Sequence, residues 1–232
     1  MKPEFSVSLM CLDYLRIREQ IEALNSRADY YHIDIMDGHF CKNITLSPDF
    51  TRAIKRISTL PVEVHLMTEH PNDFIGPVRE AGADIISPHA ETINTDAFRT
   101  LDRIKALGAG AGVVLNPATP QEYIRHYVSR LDIITIMTVD VGYAGQPFID
   151  EMLERLGSAG SGKKKRDMPT KSRSTVPVTR QPLKSSWTRA PKFSFLAVPG
   201  FSAWIMTQMR PIPGCARFLR TKPERPSLRK AA

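Results

Sequence analysis

The chain alternates short β-branched or apolar runs with amphipathic stretches, and this rhythm restricts its fold more than any other feature. Strand candidates fall at 6–10, 30–35, 62–66, 84–87, 112–115 and 133–137. Helix candidates lie between or after them, near 13–25, 49–58, 72–81, 95–107, 119–130 and 149–156. Strand centres recur every 21 to 31 residues, the spacing of β-helix-β units in a parallel sheet. Runs such as Ile133-Ile134-Thr135-Ile136-Met137 are apolar throughout, as strands covered on both faces require. Pro48, Pro71 and Thr119-Pro120 stand where helices begin. Six units use about 155 residues, and eight at that rate need roughly 205 to 230, the length of a (β/α)8 barrel. A doubly wound open sheet fits less well, because Ser8-Leu9-Met10 follows the first strand where a glycine-rich phosphate turn belongs.

Charge divides the chain in two. Residues 1–156 hold 15 basic and 22 acidic side chains, net −7, whereas 157–232 hold 17 and 2, net +15. The expected organisation is therefore a partial barrel over 1–156 and a basic Pro/Arg/Ser-rich tail over 157–232 without a regular fold. Nine prolines in the tail oppose helices there. No run of 18 apolar residues marks a membrane span, and the N-terminus lacks a signal-peptide design. Cys11, Cys41 and Cys215 are odd in number and scattered, which points away from a disulfide framework and towards a cytoplasmic location.

Chemistry concentrates in His32-Ile33-Asp34-Ile35-Met36-Asp37-Gly38-His39-Phe40. Side chains alternate along a strand, so His32, Asp34 and Met36 share a face while Ile33 and Ile35 take the other. His65, in Val64-His65-Leu66-Met67, ends the next strand and could meet the same ion. A strand histidine is ordinarily a satisfied core residue; two strands delivering His-x-Asp and His to one end are rarer. Asp37 and His39 could close a turn or act directly, and Asp13 reads as a helix cap. Gly142-Tyr143-Ala144-Gly145 allows close backbone approach to a phosphate, though a plain tight loop has the same form.

In order along the chain, Ser8-Leu9-Met10, the 32–40 segment with Asn43 and Thr45, Val64 to Met67, Asn116-Pro117 with Thr119-Pro120, and Met137-Thr138-Val139-Asp140 through Phe148 resemble the ribulose-phosphate 3-epimerase family. Ser8-Leu9-Met10-Cys11, Leu46-Ser47-Pro48 and Ala144-Gly145-Gln146-Pro147-Phe148 look closest to its allulose-6-phosphate 3-epimerase branch. The resemblance covers residues 1–156. It implies a TIM barrel, here only the first six β/α units, and 3-epimerisation of D-allulose 6-phosphate to D-fructose 6-phosphate, or of ribulose 5-phosphate as the alternative. It implies one divalent ion (Zn, Mn, Co or Fe) on His32, Asp34 and His65, with Asp34 as an acid/base and a second Asp on the seventh barrel strand. Ser8 and His65 would contact substrate, Met36, Met67 and Met137 would line the site, and Gly142, Tyr143, Ala144 and Gly145 would hold the phosphate. The partners implied are a ketose phosphate and, for a complete barrel, further copies of the chain. Val7, Val141 and Pro88-His89-Ala90 depart from the family pattern.

The tail has two readings. One is a basic segment that binds nucleic acid or anionic lipid through non-specific charge. The other is a shifted reading frame starting near 157–160. Permitted codons for 169–179, read one base earlier from the last base of the Met168 codon, spell AYEIEVDGSCN. That resembles the missing seventh strand with its Asp, and the same offset continued to about residue 202 allows a helix and a glycine-rich phosphate loop. The recovered peptide is not part of this chain. As written, the chain is expected to lack a second acid/base and to leave its first and sixth strands unpaired.

Overall fold

The computed structural model describes residues 4–152 and the strands 171–175 and 193–197. Among the described residues, nine strands form one sheet: β1 Glu4–Ser8, β2 Tyr30–Asp37, β3 Ile44–Thr45, β4 Val62–Met67, β5 Ile85–Pro88, β6 Gly110–Leu115, β7 Ile133–Met137, β8 Lys171–Thr175 and β9 Phe193–Ala197. Eight of them run parallel in the order β1-β9-β8-β7-β6-β5-β4-β2, and β1 also pairs with β2, which closes the ring. Short β3 lies antiparallel on the end of β2, pairing Met36 with Thr45 and Asp37 with Ile44.

The first six barrel strands are those read from the sequence. β7 matches residue for residue; β1 ends at Ser8 because Leu9–Cys11 winds into a 3-10 turn. The unpaired edges expected for β1 and β7 are not found, since β9 and β8 take up those backbone groups. Most of the tail lies outside the described residues.

Between strands stand α1 Ile17–Leu24, α2 Pro48–Lys55, α3 Asn72–Glu80, α4 Ala90–Ile93 and α5 Ala97–Ala106. Their starts and faces follow from sequence. Ser47 accepts from the Phe50 N–H, Pro48 fills the first turn, Asp49 follows it, and Arg52 and Lys55 end α2, all favourable to the helix dipole. On α5, Ala97, Thr100, Leu101 and Ile104 are buried, one stripe at helical spacing. The helix expected over 119–130 is instead two 3-10 turns, Gln121–Ile124 and Val128–Arg130. Ile124 and Tyr127 are both buried three residues apart, a separation that three-per-turn winding keeps on one side. Of the helix expected at 149–156, residues 153–156 lie outside the described residues.

Strand alternation separates two environments. Tyr31, Ile33, Ile35, Val62, Val64 and Leu66 join the main hydrophobic cluster with Ile21, Ile54, Ile75 and Ile104 from the helices. Fully burying such aliphatic side chains stabilises by roughly 1.5–3 kcal/mol each, so this layer supplies much of the stability. The intervening residues His32, Asp34, Glu63 and His65 are buried and polar, on the opposite face.

Candidate metal centre

Register creates the site. β2 and β4 are parallel with Asp34 beside His65 and His32 beside Glu63, and β1 places Ser8 beside His32. His32 Nε2 lies 3.2 Å from Asp34 Oδ1. His65 Nδ1 lies 3.1 Å from the same oxygen and 3.3 Å from His32 Nε2. Donors on a tetrahedral ion with bonds of 2.0–2.1 Å stand roughly 3.3 Å apart, so this buried triangle fits one face of such a site. No other group of three potential donors comes this close among the described residues.

Around the triangle, each donor is held from behind. Ser8 Oγ donates to Asp34 Oδ2 at 2.6 Å. His32 Nδ1 is 3.0 Å from Glu63 Oε2, and Ser87 Oγ donates to Glu63 Oε1 at 2.7 Å. His65 Nε2 is 2.8 Å from His89 Nε2, and His89 Nδ1 is 3.2 Å from Glu91 Oε2. Sequence reasoning passed over Glu63 and His89 as members of the site. Glu63 was detectable, because it alternates with His65 on the same strand face. His89 was not, because its place depends on β5 ending at Pro88 and α4 starting at Ala90.

Electrostatics follow from crowding in a dry place. Burial works to lower the His32 pKa, but Asp34 and then Glu63 outweigh it and raise the imidazole to about 9. Burial opposes ionisation of Asp34, yet His32 and His65 hold it well below the usual carboxylate range. Burial lowers His65, and it takes His89 down to about 4. Burial and the Asp34 charge push the Cys11 thiol up to about 12, so it is not a nucleophile at neutral pH.

The remaining candidates fall around the mouth. Met36 and Met67 pack with Cys41 in a small cluster edged by Met10, Phe40 and Val141. Met137 belongs to the adjoining cluster with Val114 and Val139, which Val141 also touches. Gly142 has φ +115° and Gly145 φ +77°, conformations that favour glycine. The Gly142 carbonyl accepts from Asn43 Nδ2 at 2.7 Å, and the Tyr143 hydroxyl donates to the Lys42 carbonyl at 2.8 Å. Tyr143, Ala144 and Gly145 are exposed. Asp37 closes a turn: Oδ1 accepts from the N–H groups of His39 and Phe40, and Oδ2 from that of Glu69. Asp13 accepts from the Leu15 N–H, as a cap.

β8 occupies the seventh place in the ring, and its sequence, Lys171-Ser172-Arg173-Ser174-Thr175, contains no carboxylate.

A parallel eight-stranded ring with an acid and two histidines at its mouth defines a barrel of the TIM class. Among solved structures, mutants of the tryptophan synthase alpha-subunit from Pyrococcus furiosus share this fold; one superposes with a TM-score of 0.59 at 15% identity over 89% of this chain and 91% of that one. The sequence match is more specific. The profile of the ribulose-phosphate 3 epimerase family matches residues 4–173, and the chain belongs to that family of carbohydrate-phosphate epimerases. It is 42% identical over 150 residues to the ribulose-phosphate 3-epimerase of Bacillus subtilis, covering 64% of this chain and 69% of the relative. It is 39% identical over 153 residues to the chloroplastic ribulose-5-phosphate-3-epimerase of Arabidopsis thaliana, covering 65% and 54%. A match to the Synechocystis ribulose-phosphate 3-epimerase, 40% identical, spans 66% of that relative. The matched part thus spans between about half and two thirds of these relatives.

Proposed function

We propose that this barrel belongs to a divalent-metal-dependent ketose-phosphate 3-epimerase acting on ribulose 5-phosphate. The observation that carries the reading is Asp34, a carboxylate in a buried triangle with two histidines at the barrel mouth. The names of the relatives favour ribulose 5-phosphate over the allulose 6-phosphate that the motifs at 8–11 and 46–48 point to. Epimerisation removes the proton next to the ketone and returns one to the opposite face. Asp34 is placed to take that proton as a general base. Ser8, donating to its far oxygen, holds the carboxylate orientation. When bound, the ion supplies positive charge for the developing enediolate, on His32, Asp34 and His65. The methionines of the mouth exclude water from the reacting carbon. Gly142 to Gly145 offer backbone for the phosphate.

The second carboxylate is the missing part. Our reading is that the coding frame shifts near 157–160. Its support is the abrupt charge change there and the alternative reading of 169–179, whose codons overlap those of β8 at the seventh place in the ring.

A frame-restored protein, given both sugar phosphates, is expected to show the higher kcat/KM on ribulose 5-phosphate, and Asp34→Asn to lower turnover by at least about 10²-fold. A preference for allulose 6-phosphate would overturn the substrate assignment. Undiminished turnover of Asp34→Asn would remove Asp34 from the chemistry.

A further inference from the structure

The loop 142–145 meets the segment 41–43 across the barrel mouth. Gly142 lies so close to Cys41 that a Cβ on it would stand 3.2 Å from the Cys41 Cβ. Asn43 Nδ2 donates to the Gly142 carbonyl at 2.7 Å. The Asn43 amide has one orientation open to it. Its Oδ1 accepts from the Ile44 N–H at 2.9 Å, which leaves the NH₂ group for Gly142. Turned over, the amide would set its oxygen against a carbonyl and its NH₂ against an N–H. Asn43 itself stands on a fixed base. Ile44 and Thr45 pair with Asp37 and Met36 as β3, and Thr45 Oγ1 donates to the Asp34 carbonyl at 2.7 Å.

A trans peptide unit is planar, and its N–H points opposite to its C=O. No cis peptide occurs among the described residues. With the Gly142 carbonyl drawn to Asn43, the Tyr143 N–H points away from 41–43. The N–H groups of Tyr143, Ala144 and Gly145 find no hydrogen-bond partner among the described residues, and all three residues are exposed. Gly142, at φ +115°, is buried. A glycine peptide turns at little steric cost, so without an outside tie its carbonyl would share the open side with these donors.

We propose that Asn43 is a positioning residue for phosphate: it holds the Gly142 carbonyl aside, so that an anion at 143–145 meets the Tyr143 N–H. It acts through the 142–143 peptide. Because Thr45 of the same segment is bonded to the strand that carries Asp34, this segment also sets the span between phosphate and general base. The third carbon of a ketose phosphate must match that span. The role rests on the phosphate reading of 142–145 given above; the carbonyl orientation does not.

The test uses the full chain, labelled with ¹³C and ¹⁵N. A scalar coupling across the hydrogen bond, from Asn43 Nδ2 to the Gly142 carbonyl carbon, is expected. Titration with inorganic phosphate is expected to shift the amide signals of Tyr143, Ala144 and Gly145 saturably. Asn43→Ala removes the donor without adding charge. Asn43→Asp keeps the shape and the bond from Ile44 but sets an acceptor against the Gly142 carbonyl. Both are expected to weaken phosphate binding by about 10–100-fold, the effect of one hydrogen bond to a charged group. Absence of the coupling overturns the proposal. So does unchanged phosphate affinity in either variant with a native circular dichroism spectrum: rescue by Asp would make Asn43 a space-filler, and a loss confined to Asp would be charge repulsion. If the coupling is present but phosphate moves none of the three amides, the phosphate reading of the loop falls, and the role of Asn43 with it, while the bond stands.

Discussion

Glu91 joins three parts of the molecule through one carboxylate, and its ionisation should be visible in stability. Burial alone would raise its pKa, but the bonds from His89 and Thr119 reverse this and hold it at about 2, against 4.5 when free. A carboxyl group depressed in the folded state stabilises fully above its unfolded value, and the gain is lost as pH falls through the folded one. The Glu91 contribution is therefore present above about pH 4.5 and fades towards pH 2. Glu91→Ala is expected to lose roughly 1–3 kcal/mol at pH 7, by leaving donors unpaired, and clearly less at pH 3. Melting curves of both proteins at the two pH values decide it, and a loss independent of pH would contradict the assignment. At this scale the sequence was partly legible. His32, Asp34 and Met36 announce themselves by alternation, and His65 by its equivalent place on the next strand. His89 carries no such signal, because nothing periodic surrounds it.

Between elements, β5 and β6 approach so closely that one position admits no side chain. A Cβ at Gly112 would stand 1.9 Å from Ser87 Oγ and 2.9 Å from its Cβ. Ser87 is the donor that fixes Glu63 behind His32, so the strand contact and the ligand contact share an atom. Gly112→Ala is expected to cost about 1–3 kcal/mol through overpacking and to weaken metal binding at the same time. Gly112→Ala combined with Ser87→Gly should recover most of the stability and little of the affinity. Denaturant titration and chelator competition on both variants read the two effects separately, and recovery of affinity in the double variant would disconnect Ser87 from the site. Regular elements were legible here because local and global preferences agree: Ser47-Pro48-Asp49 starts a helix, and β-branched runs make strands. The chain from 119 to 130 was misread because its apolar spacing serves three-per-turn and 3.6-per-turn winding almost equally. Leu9 and Met10 read as strand because an apolar run looks like one until Leu9 is seen to be wholly buried in a turn.

For the whole molecule, the acidic barrel residues and the basic remainder carry opposite charge, and the carboxylate and two histidines of the candidate site lie in the first part. Half of a cooperating acid/base pair usually leaves orders of magnitude less turnover. The chain as written is expected to turn over at least about 10³-fold more slowly than a frame-restored protein, and resequencing the codons for 150–170 should show one missing or extra base. Equal rates for the two proteins would refute the need for a second carboxylate. The hydrogen bonds from Asn43 to Gly142 and from Tyr143 to Lys42 give the mouth a further property. They join loops 99 and 101 positions apart. During synthesis at 5–20 residues per second, roughly 5–20 s separate the emergence of the two sides. By the time the later loop emerges, the two histidines and the aspartate are already on the nascent chain, so a metal ion could reach these candidate ligands before either bond forms.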